Sequence, residues 1–112
     1  MTFKPIKIKK PKPYVPLEST RTRQVLDFLN NIPGCKAQKR HQSGFGKSGE
    51  PDIVFCLCGR HGEIEMKRAG KEPSKLQLVR LAEWEKVGAI VGRRITCVDD
   101  VKQMFEDYGV KI

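Results

Sequence analysis

The chain has 112 residues and a formal net charge of +9, from 22 Lys and Arg against 13 Asp and Glu. This length suits one domain of about 100 to 150 residues and leaves no room for a second core. The charge favours a polyanionic partner such as nucleic acid and, less strongly, an anionic membrane surface. No stretch approaches the ~20 apolar residues that cross a bilayer. We therefore expect a soluble, cytoplasmic protein without a signal peptide or transmembrane segment.

Residues 1–16 differ in composition from the rest of the chain, because they hold five lysines and four prolines and no acidic residue. This composition favours an extended basic arm over a packed element. The arm is either a solubilising tail or a segment that contacts phosphates. Residues 17–112 are predicted to form the folded domain.

A first helix is predicted from Glu18 to Ile32, where Pro33 and Gly34 stop it. Glu18 lies on its apolar face, where an unpaired carboxylate would be costly. Glu18 therefore either occupies the exposed first turn, next to the positive end of the helix dipole, or serves a site. The apolar face is marked by Val25, Phe28, Leu29 and Ile32.

A strand is predicted at 35–42 and a glycine-rich loop at 43–50. The loop contains Gly46-Lys47-Ser48, which is similar to part of a phosphate-binding P-loop. The P-loop pattern requires a glycine where His41 stands. The sequence therefore excludes a nucleoside triphosphatase of that type, and we expect no nucleotide cofactor.

Two further strands are predicted to form a hairpin. Residues 52–58 are a continuous apolar run after Asp52, which is typical of a buried central strand. Residues 59–62 predict a tight reversal. In residues 63–67, Glu63, Glu65 and Lys67 alternate with apolar residues and so face the opposite side.

The rest of the domain is predicted as a helix, a short strand and a final helix. Ser74 is the expected N-cap of a helix that runs to about Val87, a strand follows at 89–91, and the last helix spans 99–108. The predicted fold is α/β, with the order αβββαβ followed by a C-terminal helix.

The four cysteines raise the question of a zinc site. Cys56 and Cys58 are separated by one residue within an apolar run, which is not the usual ligand spacing. We expect buried free thiols, with Cys35 and Cys97 of the same kind. A small structural protein that binds metal through its cysteines fits neither this spacing nor the charge.

Asp52, Glu65 and Lys67 form the candidate catalytic group. Asp52 opens the buried strand and Glu65 lies on the strand predicted to pair with it, so both carboxylates are expected at one sheet edge with Lys67. Hydrolysis of a phosphodiester needs an activated water and neutralised charge, and one or two divalent cations held by carboxylates supply both. Glu18 can approach from the first helix. The alternative is an exposed Glu–Lys pair on an edge strand, which contributes little.

The sequence resembles the VRR-NUC family of the PD-(D/E)XK nuclease superfamily over about residues 18–108. The residues that carry the resemblance are Gly49-Glu50-Pro51-Asp52, Gly59-Arg60, Ile64-Glu65-Met66-Lys67, Ser74-x-x-Gln77, Gly88-Ala-Ile-Val91 and Val98-Asp-Asp-Val101.

The resemblance implies a restriction-endonuclease-like core with a central mixed sheet flanked by helices, and roles for individual residues. Asp52, Glu65 and the backbone carbonyl of Met66 would coordinate Mg²⁺ or Mn²⁺. Lys67 would be the catalytic lysine, and Glu18 a helix-borne acid near the metal. Gln77 would be the helical glutamine of the site, although Ser74-x-x-Gln77 also fits a capping box.

Basic residues are expected along a phosphate path beside this site, although several of them fit equally well as solvent-exposed surface. They are Lys36, Lys39, Arg40, Lys47, Arg68, Lys71 and Lys75.

The expected function is that of a metal-dependent endodeoxyribonuclease. No separate base-reading module is recognisable, which favours structure-selective cleavage of branched DNA over cleavage at a defined sequence. Free-standing members of the family resemble Holliday-junction resolvases, and symmetric incision of two strands would be supplied by a homodimer. The alternative is a non-catalytic nucleic-acid-binding protein that retains the fold.

Overall fold

The computed structural model describes residues 18–40 and 49–112. The predicted arm at 1–16 lies outside these residues, as do the end of the first predicted strand and most of the glycine-rich loop, including Lys47. Within the described residues there are seven elements, α1 (Glu18–Asn30), β1 (Cys35–Lys39), β2 (Ile53–Leu57), β3 (Arg60–Met66), α2 (Lys75–Lys86), β4 (Ile90–Ile95) and α3 (Val98–Asp107).

The four strands form one mixed sheet in the order β1-β2-β3-β4. β1 pairs with β2 and β2 with β3 in antiparallel fashion, whereas β3 and β4 are parallel. α2 is the crossover that a parallel pair requires. The predicted α/β architecture, αβββαβ with a C-terminal helix, is confirmed.

The helices cover the two faces of the sheet unequally. α1 and α3 share the larger apolar core, in which Phe55 of β2 meets Phe105 of α3 edge to face at 5.8 Å between ring centroids. α2 packs on the other face through Leu81, which contacts Val91 and Ala89. Because α2 contacts β3 and β4, the corresponding face of β2 stays partly open.

The prediction of buried thiols is wrong, and for Cys56 the unequal cover of the sheet explains why. All four cysteines are free, but Cys56 and Cys58 are exposed and Cys35 and Cys97 are half-buried. The apolar run of β2 predicted burial on both faces, whereas its burial alternates along the strand. Cys56 points to the α2 side of the sheet, at the part of β2 that α2 does not reach.

The hairpin between β2 and β3 turns more tightly than the sequence predicted. Leu57 pairs with Arg60, so the loop consists of Cys58 and Gly59 alone. Both have positive φ, 49° and 86°, as a two-residue loop compatible with strand twist requires. Arg60, His61 and Gly62, predicted to lie in the reversal, belong to β3.

Besides the start of β3, two element boundaries differ from prediction by two residues or more. α1 ends at Asn30 instead of Ile32, and the Asn30 side chain hydrogen-bonds both the N–H and the carbonyl of Ala37 on β1. β4 continues to Ile95, past the predicted end at Val91. Within the described residues, no helix combines the length and apolar character needed to cross a bilayer.

Candidate active site

Asp52 and Glu65 meet at one end of the sheet. Asp52 immediately precedes β2, and the register pairs Ile53 with Ile64, so the next position along brings Asp52 to the level of Glu65. The backbone N–H of Met66 donates to Asp52 Oδ2 at 3.0 Å. This bond fixes the Asp52 carboxylate against β3, at the strand end that carries Glu65.

The two oxygens of the Glu65 carboxylate have different surroundings. Oε1 accepts a hydrogen bond from Gln77 Nε2 at 2.8 Å and lies 3.3 Å from Lys67 Nζ. Oε2 is buried and has no hydrogen-bond partner among the described residues. The Glu65 side chain is only 3% exposed, so bulk water has little access to Oε2. A buried, charged oxygen without a hydrogen-bond partner destabilises the fold.

The electrostatics of the pair match those of carboxylates that share a confined space. Burial, followed by the charge of Asp52, raises the pKa of Glu65 to about 7, against the lowering effect of Lys67. Burial is also the largest cause of the raised pKa of Asp52, which the Met66 N–H opposes. Two nearby carboxylates disfavour simultaneous ionisation. The site is thus electrostatically prepared for a positive charge.

Gln77 forms the predicted capping box and also hydrogen-bonds Glu65. Its side-chain oxygen accepts from the backbone N–H of Ser74 at 2.8 Å, and its own backbone N–H donates to Ser74 Oγ at 3.1 Å, which completes a capping box. Its Nε2 remains to donate to Glu65. The start of α2 is therefore tied to the Glu65 carboxylate.

Glu18 lies in the first turn of α1 and is exposed. Its negative charge is one of the causes, after burial, that raise the pKa of Asp52. Glu18 is therefore close enough to act on Asp52 electrostatically. The sequence left open whether Glu18 lies in the exposed first turn or serves a site. It lies in the exposed first turn, at the end of α1 that is near the candidate site.

The oxygen atoms of Asp52 and Glu65 are suitable ligands for a small, hard divalent cation, but they are few. Carboxylate oxygens are the ligands that Mg²⁺ prefers, and it commonly takes one or two from the protein and keeps waters. Asp52 and the free Oε2 of Glu65 offer two. Among residues 18–40 and 49–112, no group of three or more His, Cys, Asp or Glu side chains is arranged to hold a metal ion. A cation here would accordingly depend on two side-chain carboxylates.

Arg40 lies in an ion-pair network next to the site. Its Nη2 donates to both oxygens of the fully buried Glu63, at 2.5 and 2.9 Å, and its Nη1 pairs with Glu50. His61 Nε2 also lies 3.1 Å from Glu63. Arg40 was predicted as a phosphate contact, and this ion-pair network was not predicted. The alternation of Glu63 with Glu65 on one face was the signal that could have indicated it.

The other predicted phosphate contacts occupy different parts of the surface. Lys39 ends β1 and pairs with Ile53, next to Asp52, whereas Lys36 pairs with Cys56 further along the strand. Arg68, Lys71 and Lys75 are exposed between β3 and the first turn of α2.

Arg94 was not among the predicted phosphate contacts, but it joins this region. Its Nε donates to the carbonyl of Lys71 at 2.8 Å and lies 3.4 Å from Glu72. It therefore lies beside the basic segment between β3 and α2.

The same arrangement of helices and strands occurs in solved structures. One, described as a VRR_NUC domain, superposes with a TM-score of 0.66 at 24% identity, over 81% of this chain and 96% of that chain. The chain has the fold of a VRR-NUC domain. A second structure with this fold, described as a VRR_NUC domain protein, superposes with a TM-score of 0.61 at 15% identity, over 86% of this chain and 90% of that chain. No family model and no curated protein sequence matches the chain. The VRR-NUC fold that the sequence resemblance predicted is thus confirmed by structure.

Proposed function

We propose that the chain is a divalent-metal-dependent endonuclease that hydrolyses phosphodiester bonds in DNA. The observation that carries the proposal is the Glu65 carboxylate. One of its oxygens is held by Gln77 and Lys67, and the other is buried beside Asp52 with no hydrogen-bond partner in residues 18–40 and 49–112. The VRR-NUC fold and the net charge of +9 support a nuclease rather than an unrelated metal protein.

In this proposal Asp52, Glu65 and the backbone carbonyl of Met66 hold Mg²⁺ or Mn²⁺. When bound, such a cation lowers the pKa of a coordinated water and offsets charge on the phosphate. The chain's own groups do the positioning. The Met66 N–H orients Asp52, and Gln77 orients Glu65 so that Oε2 stays free.

Lys67 is proposed as the catalytic lysine. Its Nζ lies 3.3 Å from Glu65 Oε1 and its side chain is 21% exposed, so the ammonium is anchored yet accessible. A fixed positive charge next to the reacting phosphate stabilises negative charge that develops in the transition state. Glu18 is proposed as an auxiliary acid at the mouth of the site.

The substrate is proposed to be branched DNA such as a Holliday junction, cut by a homodimer. The basic residues at the site end, among them Lys39, Arg68, Lys71 and Lys75, would track the backbone, because phosphate contacts carry no sequence information. Binding should weaken steeply with rising salt in proportion to the number of phosphates contacted.

A cleavage assay tests the proposal. Four-way, flap, duplex and single-stranded DNA are incubated with Mg²⁺ or Mn²⁺ and with the wild-type chain, Asp52→Asn or Lys67→Ala. Asp52→Asn keeps an acceptor for the Met66 N–H but loses the charge. Asp99→Asn and Lys111→Ala are matched changes at exposed positions outside the site. We expect the first pair to lose activity by about 100-fold or more, and the second pair to cut as the wild type does.

The second candidate function, a non-catalytic DNA-binding protein, predicts a different result. The wild-type chain would bind the same substrates and leave all of them uncut with either metal. Cleavage that survives in Asp52→Asn would instead retain an enzyme but refute the assigned site.

A further inference from the structure

The outer edge of β4 borders a groove on the surface of the domain. β4 is the last strand of the sheet, so one side of its backbone pairs with no other strand among the described residues. On that side the N–H of Val91 donates to Tyr108 Oη at 3.3 Å, and the backbone groups of Arg93, two residues further on, face the same way. The groove has a volume of about 540 Å³ and is lined by residues 91–95, by Glu85 of α2 and by one side of α3. We call it the β4 groove. A sheet edge of this kind is a template for a further strand.

The α3 wall of the β4 groove is acidic. Asp100, Gln103 and Asp107 line it, at the spacing of three and four residues that places side chains on one side of a helix. Within residues 18–40 and 49–112, neither aspartate forms an ion pair. The two arginines of β4 pair with glutamates of α2 and of the segment before it. The groove therefore disfavours phosphates and suits an extended, cationic segment.

The start of α1 lies beside one end of this groove. Arg21, in the first turn of α1, donates through Nη1 to the carbonyl of Thr96 at 3.2 Å, and Thr96 directly follows β4. The residues that precede Glu18 therefore join the domain close to the end of β4. Residues 11–17 can span up to about 23 Å, and a six-residue strand such as β4 is about 20 Å long. A segment that ends at residue 10 can thus lie along β4, parallel to it.

Residues 6–10 have the sequence of an edge strand. They read Ile-Lys-Ile-Lys-Lys between Pro5 and Pro11, so Lys7 and Lys9 share one face of a strand and the isoleucines share the other. Lysine and proline on an outer strand protect a sheet edge from further pairing. We propose that residues 6–10 dock in the β4 groove as a fifth strand, parallel to β4, with Lys7 and Lys9 toward the acidic α3 wall. Docking requires neither metal nor DNA, so the inference goes beyond the proposed function.

Docking would change the surroundings of the candidate active site. The N–H of Lys67 donates to the carbonyl of Ile95 at 2.8 Å, so the end of β4 belongs to the end of the sheet that carries the site. Residues 11–17, with Lys12, would pass along this end on the way to α1. The arm, for which the sequence left a solubilising tail and a phosphate contact as alternatives, would then be part of the folded domain.

Amide hydrogen exchange and nuclear Overhauser effects in the full chain, measured by NMR without DNA or metal, test the proposal. We expect contacts between residues 6–10 and residues 91–94. Amide protons in residues 6–10 and that of Arg93 should exchange at least about tenfold more slowly than in an unstructured peptide. The double variant Ile8→Pro/Lys9→Pro removes two successive N–H groups, one of which must face β4 because backbone groups alternate along a strand. It should abolish the protection.

A matched pair of α3 variants locates the contact. Asp107 and Glu106 are adjacent and both exposed, but only Asp107 is among the residues that line the β4 groove. Asp107→Lys should therefore lower the protection of residues 6–10 by about twofold to fivefold, whereas Glu106→Lys, with the same change in charge, should leave it unchanged. Urea unfolding of each variant shows that the fold is retained.

Three results would overturn the proposal. The first is exchange in residues 6–10 that is as fast as in an unstructured peptide. The second is an equal effect of Asp107→Lys and Glu106→Lys on the protection. The third is protection that disappears on dilution, because the docked arm would then belong to a second copy of the chain. None of these results bears on whether the chain cuts DNA.

Discussion

The Glu65 carboxylate should destabilise the metal-free fold at neutral pH, and Glu65→Gln should relieve this. Burial and the Asp52 charge raise its pKa from 4.5 to about 7. A carboxyl whose pKa is higher in the folded state binds its proton more tightly there. Its unfavourable contribution is therefore absent below about pH 4.5, grows between about 4.5 and 7, and is constant above that range.

The size of this effect follows from the two pKa values. The difference between 4.5 and about 7, at about 1.4 kcal/mol for each pKa unit, corresponds to about 3 kcal/mol. Glutamine keeps the acceptor for Gln77, and the pKa of about 7 already includes the attraction of Lys67 for the Glu65 charge. Glu65→Gln should therefore stabilise the metal-free chain by about 3 kcal/mol at pH 8.

Urea unfolding in the presence of EDTA measures this difference at pH 4.5 and pH 8. The gain should be present at pH 8 and absent at pH 4.5, with Glu106→Gln, an exposed glutamate on α3, as the control. Adding Mg²⁺ should stabilise the wild type more than the variant, since a ligand stabilises the state that binds it. If Glu65→Gln is less stable than the wild type at pH 8, the carboxylates are not under the strain that favours a cation.

Three substitutions test how the fold supports the site, each by urea unfolding. Gly62→Ala should cost about 3 kcal/mol, because the new Cβ would lie 2.0 Å from the Phe55 ring; a loss below 1 kcal/mol would contradict that contact. Asn30→Ala should cost about 1 to 3 kcal/mol through its two bonds to Ala37, and an unchanged midpoint would refute the role of Asn30 at the β1 edge. Cys58→Asn should stabilise the hairpin by up to about 1 kcal/mol, since asparagine tolerates positive φ better; destabilisation would argue against the Cys58–Gly59 turn.

The order of elements could be predicted because each element has a clear period in the sequence. The helical spacing of Val25 and Leu29 and the alternation around Glu65 each identify one element. The predicted hairpin placed Asp52 and Glu65 at one edge of the sheet. Their exact register depends on the two-residue turn at Cys58 and Gly59, which is tighter than the reversal predicted at 59–62.

Features that depend on packing could not be predicted in this way. The extent of β4 was underestimated because Gly92, Arg93 and Arg94 break its apolar pattern, although pairing with β3 keeps the backbone extended. The exposure of Cys56 depends on how far α2 reaches across the sheet. The ion pair of Arg40 with Glu63 joins residues 23 positions apart, and charge in the sequence alone does not distinguish such a pair from a phosphate contact.

Direct measurement of Mn²⁺ binding tests the central claim, that Asp52 and Glu65 together hold a divalent cation. Titration calorimetry, checked by the electron paramagnetic resonance signal of free Mn²⁺, is applied to the wild type, Asp52→Asn, Glu65→Gln and the exposed control Asp99→Asn. We expect one class of site in the wild type and the control, with affinity lowered at least tenfold in each of the two site variants. Equal Mn²⁺ affinity in all four proteins, or no binding by the wild type, would contradict the account.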